Sequence, residues 1–264
     1  MLEVSDVRKT FFAGTVNERI ALDNVSLKLD AGDFVTVIGS NGAGKSTLLN
    51  ITSGKLKPDT GTVKINNNDV TKLDDFQRAK FIGRVFQDPM AGSSPTMTIE
   101  ENLSIAHGRG KRRGLRRGVT KRKREFFCTE LESLELGLES RLKSKVGLLS
   151  GGQRQALSLL MATFSQPDIL LLDEHTAALD PQRAELVSRL TMDVVERHKL
   201  TTLMVTHNME QALRMGNRLI MMHEGRIILD IDEEQKRKTT VEDLLKEFEK
   251  IQGSKFADDR AMLQ

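Results

Sequence analysis

The stretch GSNGAGKST, residues 39–47, governs how the rest of this 264-residue chain is read. It matches G-x-x-x-x-G-K-[ST], with Gly39, Gly44, Lys45 and Ser46 at the fixed places. A β-branched run, VTVIG at 35–39, precedes it, and STLLNITSG at 46–54 follows with helical character. Strand, glycine turn and helix together form the context that gives the pattern its meaning. The glycines let the backbone fold around phosphate, so the amides of Ser40, Asn41, Gly42, Ala43 and Thr47 can close on it. The helix N-terminus adds positive potential. Lys45 can then reach the outer phosphates, and the Ser46 hydroxyl can bind Mg²⁺.

A second stretch completes such a site. DILLLDE, 168–174, is apolar at nearly every position, as expected of a central parallel strand covered on both faces. It ends in two acids, which therefore emerge at the sheet edge where ligands of open α/β sheets sit. Asp173 is placed to hold Mg²⁺ and Glu174 to orient and deprotonate an attacking water. Gln87 in VFQDP and His207 in VTHNM also follow strand candidates. Gln87 can sense the metal or the water, and the His207 imidazole can touch a terminal phosphate.

Short β-branched runs alternate with longer amphipathic stretches, the pattern of an α/β fold. Strands are expected at 20–29, 33–39, 62–66, 81–86, 168–172, 201–205 and 217–222, with a hairpin turn in HEGRIILD at 223–230. Asp180 before Pro181 marks a helix start, and Thr98 with Glu101 and Thr240 with Asp243 resemble capping boxes. Residues 87–150 lack strand signals and read as helical, which implies a subdomain inserted between two halves of a parallel sheet. The expected organisation is one domain over 1–250. Its core spans about 1–86 and 166–230, helices fill about 87–165, and a helical tail covers 231–264.

Composition narrows the class. Hydrophobic residues are 38% and charged residues 29%, ordinary for a globular protein with a core. The longest apolar runs, ILLL at 169–172 and LIMM at 219–222, are strand-sized, so no membrane span is expected. The N-terminus does not resemble a secretory signal, and the single Cys128 excludes an internal disulfide. These features point to the cytoplasm. The formal charge of +3 is unevenly spread: GRGKRRGLRRGVTKRKR, 108–124, holds ten of the 40 Lys and Arg and no acid. The remaining 30 basic residues are outnumbered by 37 acidic ones. This is an acidic domain with one basic segment, either a solvated loop or a contact for anionic headgroups or acidic loops. Nucleic-acid binding is not expected, since aromatic residues do not alternate with the charges.

One motif is left over. LLSGGQRQ, 148–155, sets Ser150, Gly151 and Gly152 before an apolar helix, a second anion-binding arrangement in a chain that already has one. The ordered set GSNGAGKST, VFQDP, LSGGQRQ, DILLLDE, AALD and VTH resembles the ATP-binding-cassette (ABC) ATPases, the motor subunits of ABC transporters, over about residues 1–230. The resemblance implies a P-loop NTPase of ABC type, with an N-terminal antiparallel β part, a mixed or parallel core sheet and an inserted α-helical subdomain. It implies ATP and Mg²⁺ as cofactors, hydrolysis, and a head-to-tail dimer of two copies enclosing two ATP molecules. In that dimer Ser150, Gly151, Gly152 and Gln153 meet the γ-phosphate held on the partner's phosphate loop, and the Asp180 loop lies beside them.

Phe11, or its neighbour Phe12, takes the place of the aromatic that stacks on adenine, where relatives have Tyr or Trp. After Glu174 the chain reads HTAALD where the family usually has P-T-S-A-L-D, so His175 replaces a proline but no catalytic group is lost. Further partners implied are a separate integral membrane permease, which would hold the protein at the inner face of the membrane, and an extracytoplasmic solute-binding protein. The DEHTAALD variant, and a chain that stops soon after residue 250, look like ATPases for bacterial uptake of amino-acid-type solutes; an exporter or lipoprotein-releasing system is the alternative. DNA-maintenance relatives insert hundreds of residues between the phosphate loop and the signature, and ribosome-acting relatives carry two cassettes. This chain has neither feature.

Overall fold

A computed structural model describes residues 1–110 and 118–250. The middle of the basic segment, 111–117, and the last part of the expected tail, 251–264, lie outside the described residues. Four strands, β1 (Leu2–Phe11), β2 (Arg19–Leu29), β4 (Thr60–Ile65) and β5 (Asn68–Asp69), form an antiparallel sheet in the order β2-β1-β4-β5. Six others, β3 (Phe34–Gly39), β6 (Ile82–Val85), β7 (Ile169–Asp173), β8 (Thr201–Val205), β9 (Arg218–His223) and β10 (Arg226–Ile231), form a second sheet in the order β10-β9-β3-β8-β7-β6. All neighbouring pairs from β9 to β6 are parallel, and only β10 runs antiparallel, on the edge.

The two-residue period of the strands sets which side each apolar residue serves. From β7, Leu170 and Leu172 join Val85 and Met204 in one cluster, while Ile169 and Leu171 join Val35, Val37, Leu203 and Val205 in another. The first cluster runs into the helices between β6 and β7. It takes in Leu103 from α3 (Ile99–His107), Phe127 and Leu131 from α4 (Lys121–Glu132), and Leu157 from α5 (Gly151–Thr163). The second is filled by Leu48, Leu49 and Ile51 of α1 (Lys45–Ser53) and by Leu2, Leu22, Leu27 and Val63 of the antiparallel sheet. The helix opened by the phosphate loop is thus clamped between two sheets. Those apolar contacts, rather than its own short length, make it stable.

The expected helix starts are present with their caps. The Thr98 hydroxyl accepts from the Glu101 amide at 3.3 Å, and the Glu101 carboxylate accepts from the Thr98 amide at 2.7 Å. Asp180 accepts from the Arg183 amide at 3.1 Å and precedes α6 (Pro181–His198). Thr240 and Asp243 exchange the same reciprocal bonds before a helix over 241–250. Shorter helices are α2 (Asp75–Arg78), α7 (Met209–Arg214) and α8 (Glu233–Lys238). Two strands went unread in the sequence, the two-residue β5 and the longer β1. β1 alternates only over Leu2 and Val4, because register shifts after Val4 and Val7 break its apolar period.

Candidate nucleotide site

Because β6, β7, β8 and β3 are parallel, their C-terminal ends meet at one edge. Gly39, Asp173 and Thr206 leave the sheet there. The loop after β3 reaches α1 through Gly44, whose φ of 101° is left-handed. A Cβ at Gly44 would stand 2.4 Å from the Ala21 carbonyl oxygen, so only glycine fits. The turn between β9 and β10 braces the loop, with the Gly225 amide donating to the Ala43 carbonyl at 3.0 Å. Lys45 Nζ donates to the carbonyls of Gly39 at 2.7 Å and Ser40 at 3.0 Å. Burial holds its ammonium below the usual lysine range, and the Glu174 carboxylate opposes that shift.

A cleft of about 240 Å³ opens over the loop, lined by Asn41 to Thr47 together with Phe11, Arg19, Ala21 and Glu174. The structure brings Phe11 to it and not Phe12, which is 70% exposed and has a φ of 54°. Arg19 was missed in the sequence. It opens β2 and donates from Nη2 to the Gly42 carbonyl at 2.9 Å, so its cation lies against the loop. No local pattern marks an arginine that acts through a loop far along the chain.

At the acidic edge, Glu174 Oε2 lies 3.3 Å from His207 Nδ1, and the Glu174 amide donates to the Val205 carbonyl at 2.9 Å. Glu174 itself has a φ of 44°, left-handed for a non-glycine residue. Val85 pairs with Leu172 across β6 and β7, so Gln87 stands two residues on, level with Glu174. It is exposed and does not line the cleft. Ser46, on the cleft wall, and Asp173 supply hydroxyl and carboxylate oxygens, the hard donors that suit Mg²⁺.

Behind Glu174 a buried amide ties two loops together. Gln211 donates to Thr176 Oγ1 at 3.0 Å and Ser188 Oγ at 2.9 Å, and accepts from Thr206 Oγ1 at 2.8 Å. His175 is fully enclosed, with Nε2 3.0 Å from Thr191 Oγ1, and burial pushes its pKa down to about 4. It is therefore a neutral packing group at neutral pH.

The signature residues do not join this cleft. Ser150 caps α5: its hydroxyl accepts from the Gln153 amide at 3.3 Å, and Gln153 Oε1 accepts from the Ser150 amide at 3.1 Å. A Cβ on Gly152 would be 3.3 Å from Arg183 Cβ, so the glycine lets α5 approach the start of α6, where Asp180 sits. Ser150, Gly151, Gly152, Gln153 and Asp180 thus gather where the starts of α5 and α6 pack together, outside the lining of the cleft.

Comparison with known proteins identifies the family. A family model described as ABC transporter matches residues 22–177. The tyrosine transport ATP-binding protein of Clostridioides difficile is 44% identical over 249 residues, covering 94% of this chain and 99% of that one. A methionine import ATP-binding protein of Brucella abortus is 34% identical over 86% of this chain and 58% of its own length. Among solved structures, a dimeric, post-hydrolysis ATP-binding cassette of Methanocaldococcus jannaschii with ADP and Pi bound superposes with a TM-score of 0.74. It is 34% identical and matches over 88% of this chain and 99% of that one. The chain belongs to the ABC transporter family, as an ATP-binding subunit with the ABC-type ATPase fold and activity.

Proposed function

We propose that this ATPase powers uptake of an amino-acid-type solute through a separate membrane permease, acting as a dimer whose two copies each complete the other's ATP site. The observation that carries the dimer is that Ser150 and its neighbours do not line the cleft over their own phosphate loop. Two copies set head to tail bring these residues to the partner's cleft, and the dimeric relative supports the same assembly. The relatives named for tyrosine transport and methionine import support the amino-acid-type solute and the direction. A solute-binding protein outside the membrane belongs to the same reading. Among the described residues no helix is long and apolar enough to cross a membrane.

In this reading Phe11 stacks on adenine, and the loop amides, Lys45 and Arg19 hold the phosphates. Ser46 and Asp173 hold Mg²⁺, which offsets charge on the phosphates when bound. Gln87, level with Glu174 at the strand ends, senses metal and water. Glu174 takes a proton from the attacking water, while His207, bonded to its carboxylate, fixes its orientation and faces the γ-phosphate. The Asp180 loop sits beside the signature at the dimer face. The permease contact falls on the groove lined by Lys55, Phe76, Phe86 and Arg109, where Phe76 is 74% exposed. In this reading the protein sits at the inner face of the membrane.

A mixing experiment tests the shared site. Lys45→Ala damages the phosphate loop of one copy, and Ser150→Arg damages the signature of another. In a mixed dimer both defects fall in one site and leave the other whole, so mixing should yield dimers that each occlude one ATP, which neither parent does. No occlusion above the parents, in confirmed mixed dimers, refutes the shared site. Replacing the chromosomal copy with Glu174→Gln tests the transport reading: uptake of one labelled amino acid should stop. Unchanged uptake of every amino acid counts against it.

A further inference from the structure

Asp173 does not stand free at the end of β7. Arg84, on the neighbouring strand β6, donates from Nη2 to Asp173 Oδ2 at 2.7 Å. Its other terminal nitrogen, Nη1, donates to Asn50 Oδ1 at 2.8 Å and Ser53 Oγ at 3.1 Å, both near the C-terminal end of α1. The guanidinium lies 4.9 Å from the centroid of Phe86. The side chains of Arg84 and Asp173 are only 11% and 16% exposed. This single cation therefore spans from the helix that carries Ser46 in its first turn to the carboxylate opposite it. Those are the two protein donors of the Mg²⁺ site proposed above.

We infer that Arg84 is a positioning residue that fixes Asp173 by one oxygen and sets how strongly this site holds Mg²⁺. A charge-assisted bond of this length strongly restrains the carboxylate. With Oδ2 engaged, Oδ1 is the oxygen left for the metal or its water shell, so Asp173 serves as a one-oxygen ligand of fixed orientation. The same guanidinium would set a positive charge beside a dication held on the other oxygen of Asp173, and the repulsion would weaken metal binding. The residue thus trades affinity for geometry. Its Nε is buried without a partner among the described atoms, so packing alone does not explain an arginine here.

The inference rests on Asp173 serving Mg²⁺, and the test separates the two ideas. Full-length protein is titrated with MgCl₂ in the presence of a fluorescent N-methylanthraniloyl-ATP, and nucleotide affinity in EDTA is measured in parallel. Arg84→Met should lower the Mg²⁺ concentration at half-maximal effect by at least about tenfold, the Coulomb figure for one charge and a dication about 6 Å apart even under the full screening of water. Its affinity in EDTA should stay within about twofold of the parent. Arg84→Lys keeps the charge without the fork and should leave the midpoint near the parent value, with turnover lowered. Arg84→Gln provides a second neutral variant if Arg84→Met does not fold, with the same shift expected. Folded neutral variants whose Mg²⁺ midpoint matches the parent overturn the role of Arg84. A parent whose nucleotide binding ignores Mg²⁺ overturns the Mg²⁺ reading itself.

Discussion

Removing the Arg78 guanidinium should unfold the phosphate-loop half of the molecule far more readily than removing any surface charge. Arg78 is fully buried and touches no carboxylate. It donates to four backbone carbonyls instead: Ile51 at 2.7 Å, Thr52 at 2.8 Å, Thr71 at 3.0 Å and Leu73 at 3.1 Å. Two of these belong to the last turn of α1, whose carbonyls have no partner further along the helix. Burial pushes its pKa down to about 10, partly opposed by Asp69 and Asp74, so it is charged throughout the ordinary working range.

In Arg78→Met, several buried acceptors lose their donor, each worth about 1–3 kcal/mol, while desolvation of the cation is relieved. Ile51 keeps the Gly54 amide, at 3.2 Å, as one remaining donor. The balance is a loss of about 4 kcal/mol, within the range for breaking a buried charged network. For a chain of this size that lowers the melting temperature by roughly 10 °C. Urea unfolding at pH 7 measures it directly, with the midpoint falling and the slope unchanged. Arg78→Lys should recover less than half, because an ammonium cannot span both loops. A loss below about 1 kcal/mol for Arg78→Met refutes the argument that this residue closes the end of α1.

Other outcomes follow from the site. Glu174→Gln should bind ATP normally and slow turnover at least about 100-fold, while ATP drives a stable dimer visible by size exclusion; phosphate release at the parental rate removes Glu174 from the role of base. Gln211→Leu should lower kcat more than it weakens ATP binding, since it frees Thr176 and Thr206 on either side of Glu174. Equal changes in both would assign Gln211 to general stability. Unfolded histidine takes up a proton near pH 6.5, whereas His175 in the fold does so only near 4. Stability is therefore whole above pH 6.5 and falls as the pH drops toward 4, by at most about 3 kcal/mol. His175→Asn should flatten that part of the urea midpoint against pH, and an unchanged slope would show that other groups cause it.

Motifs whose meaning is local were legible before any coordinates. The phosphate loop needs only a strand, glycines and a helix in succession, and Thr98 with Glu101 speaks for a cap within four residues. The uninterrupted apolar run ILLL marked a central strand because both faces of such a strand are covered. Contacts between distant segments left no such trace. Arg84 meets Asp173, Arg19 meets Gly42 and Gln211 meets Thr176 only after the sheet order is fixed, and each is a polar residue of ordinary type at its own position. β1 escaped because its bulges scramble the two-residue period. Phe11 and Phe12, adjacent and chemically identical, are distinguished only by the backbone turn that sends one of them to solvent.

The backbone at Glu174 carries an evolutionary consequence. A φ of 44° costs a non-glycine side chain on the order of 1 kcal/mol, a cost the strand end accepts at the residue that faces the cleft. Selection for thermal robustness alone would favour glycine or asparagine here, and selection for turnover alone would keep the carboxylate. A lineage released from the need to hydrolyse nucleotide, yet still required to fold, should drift first at this position, gaining stability as it loses its chemistry.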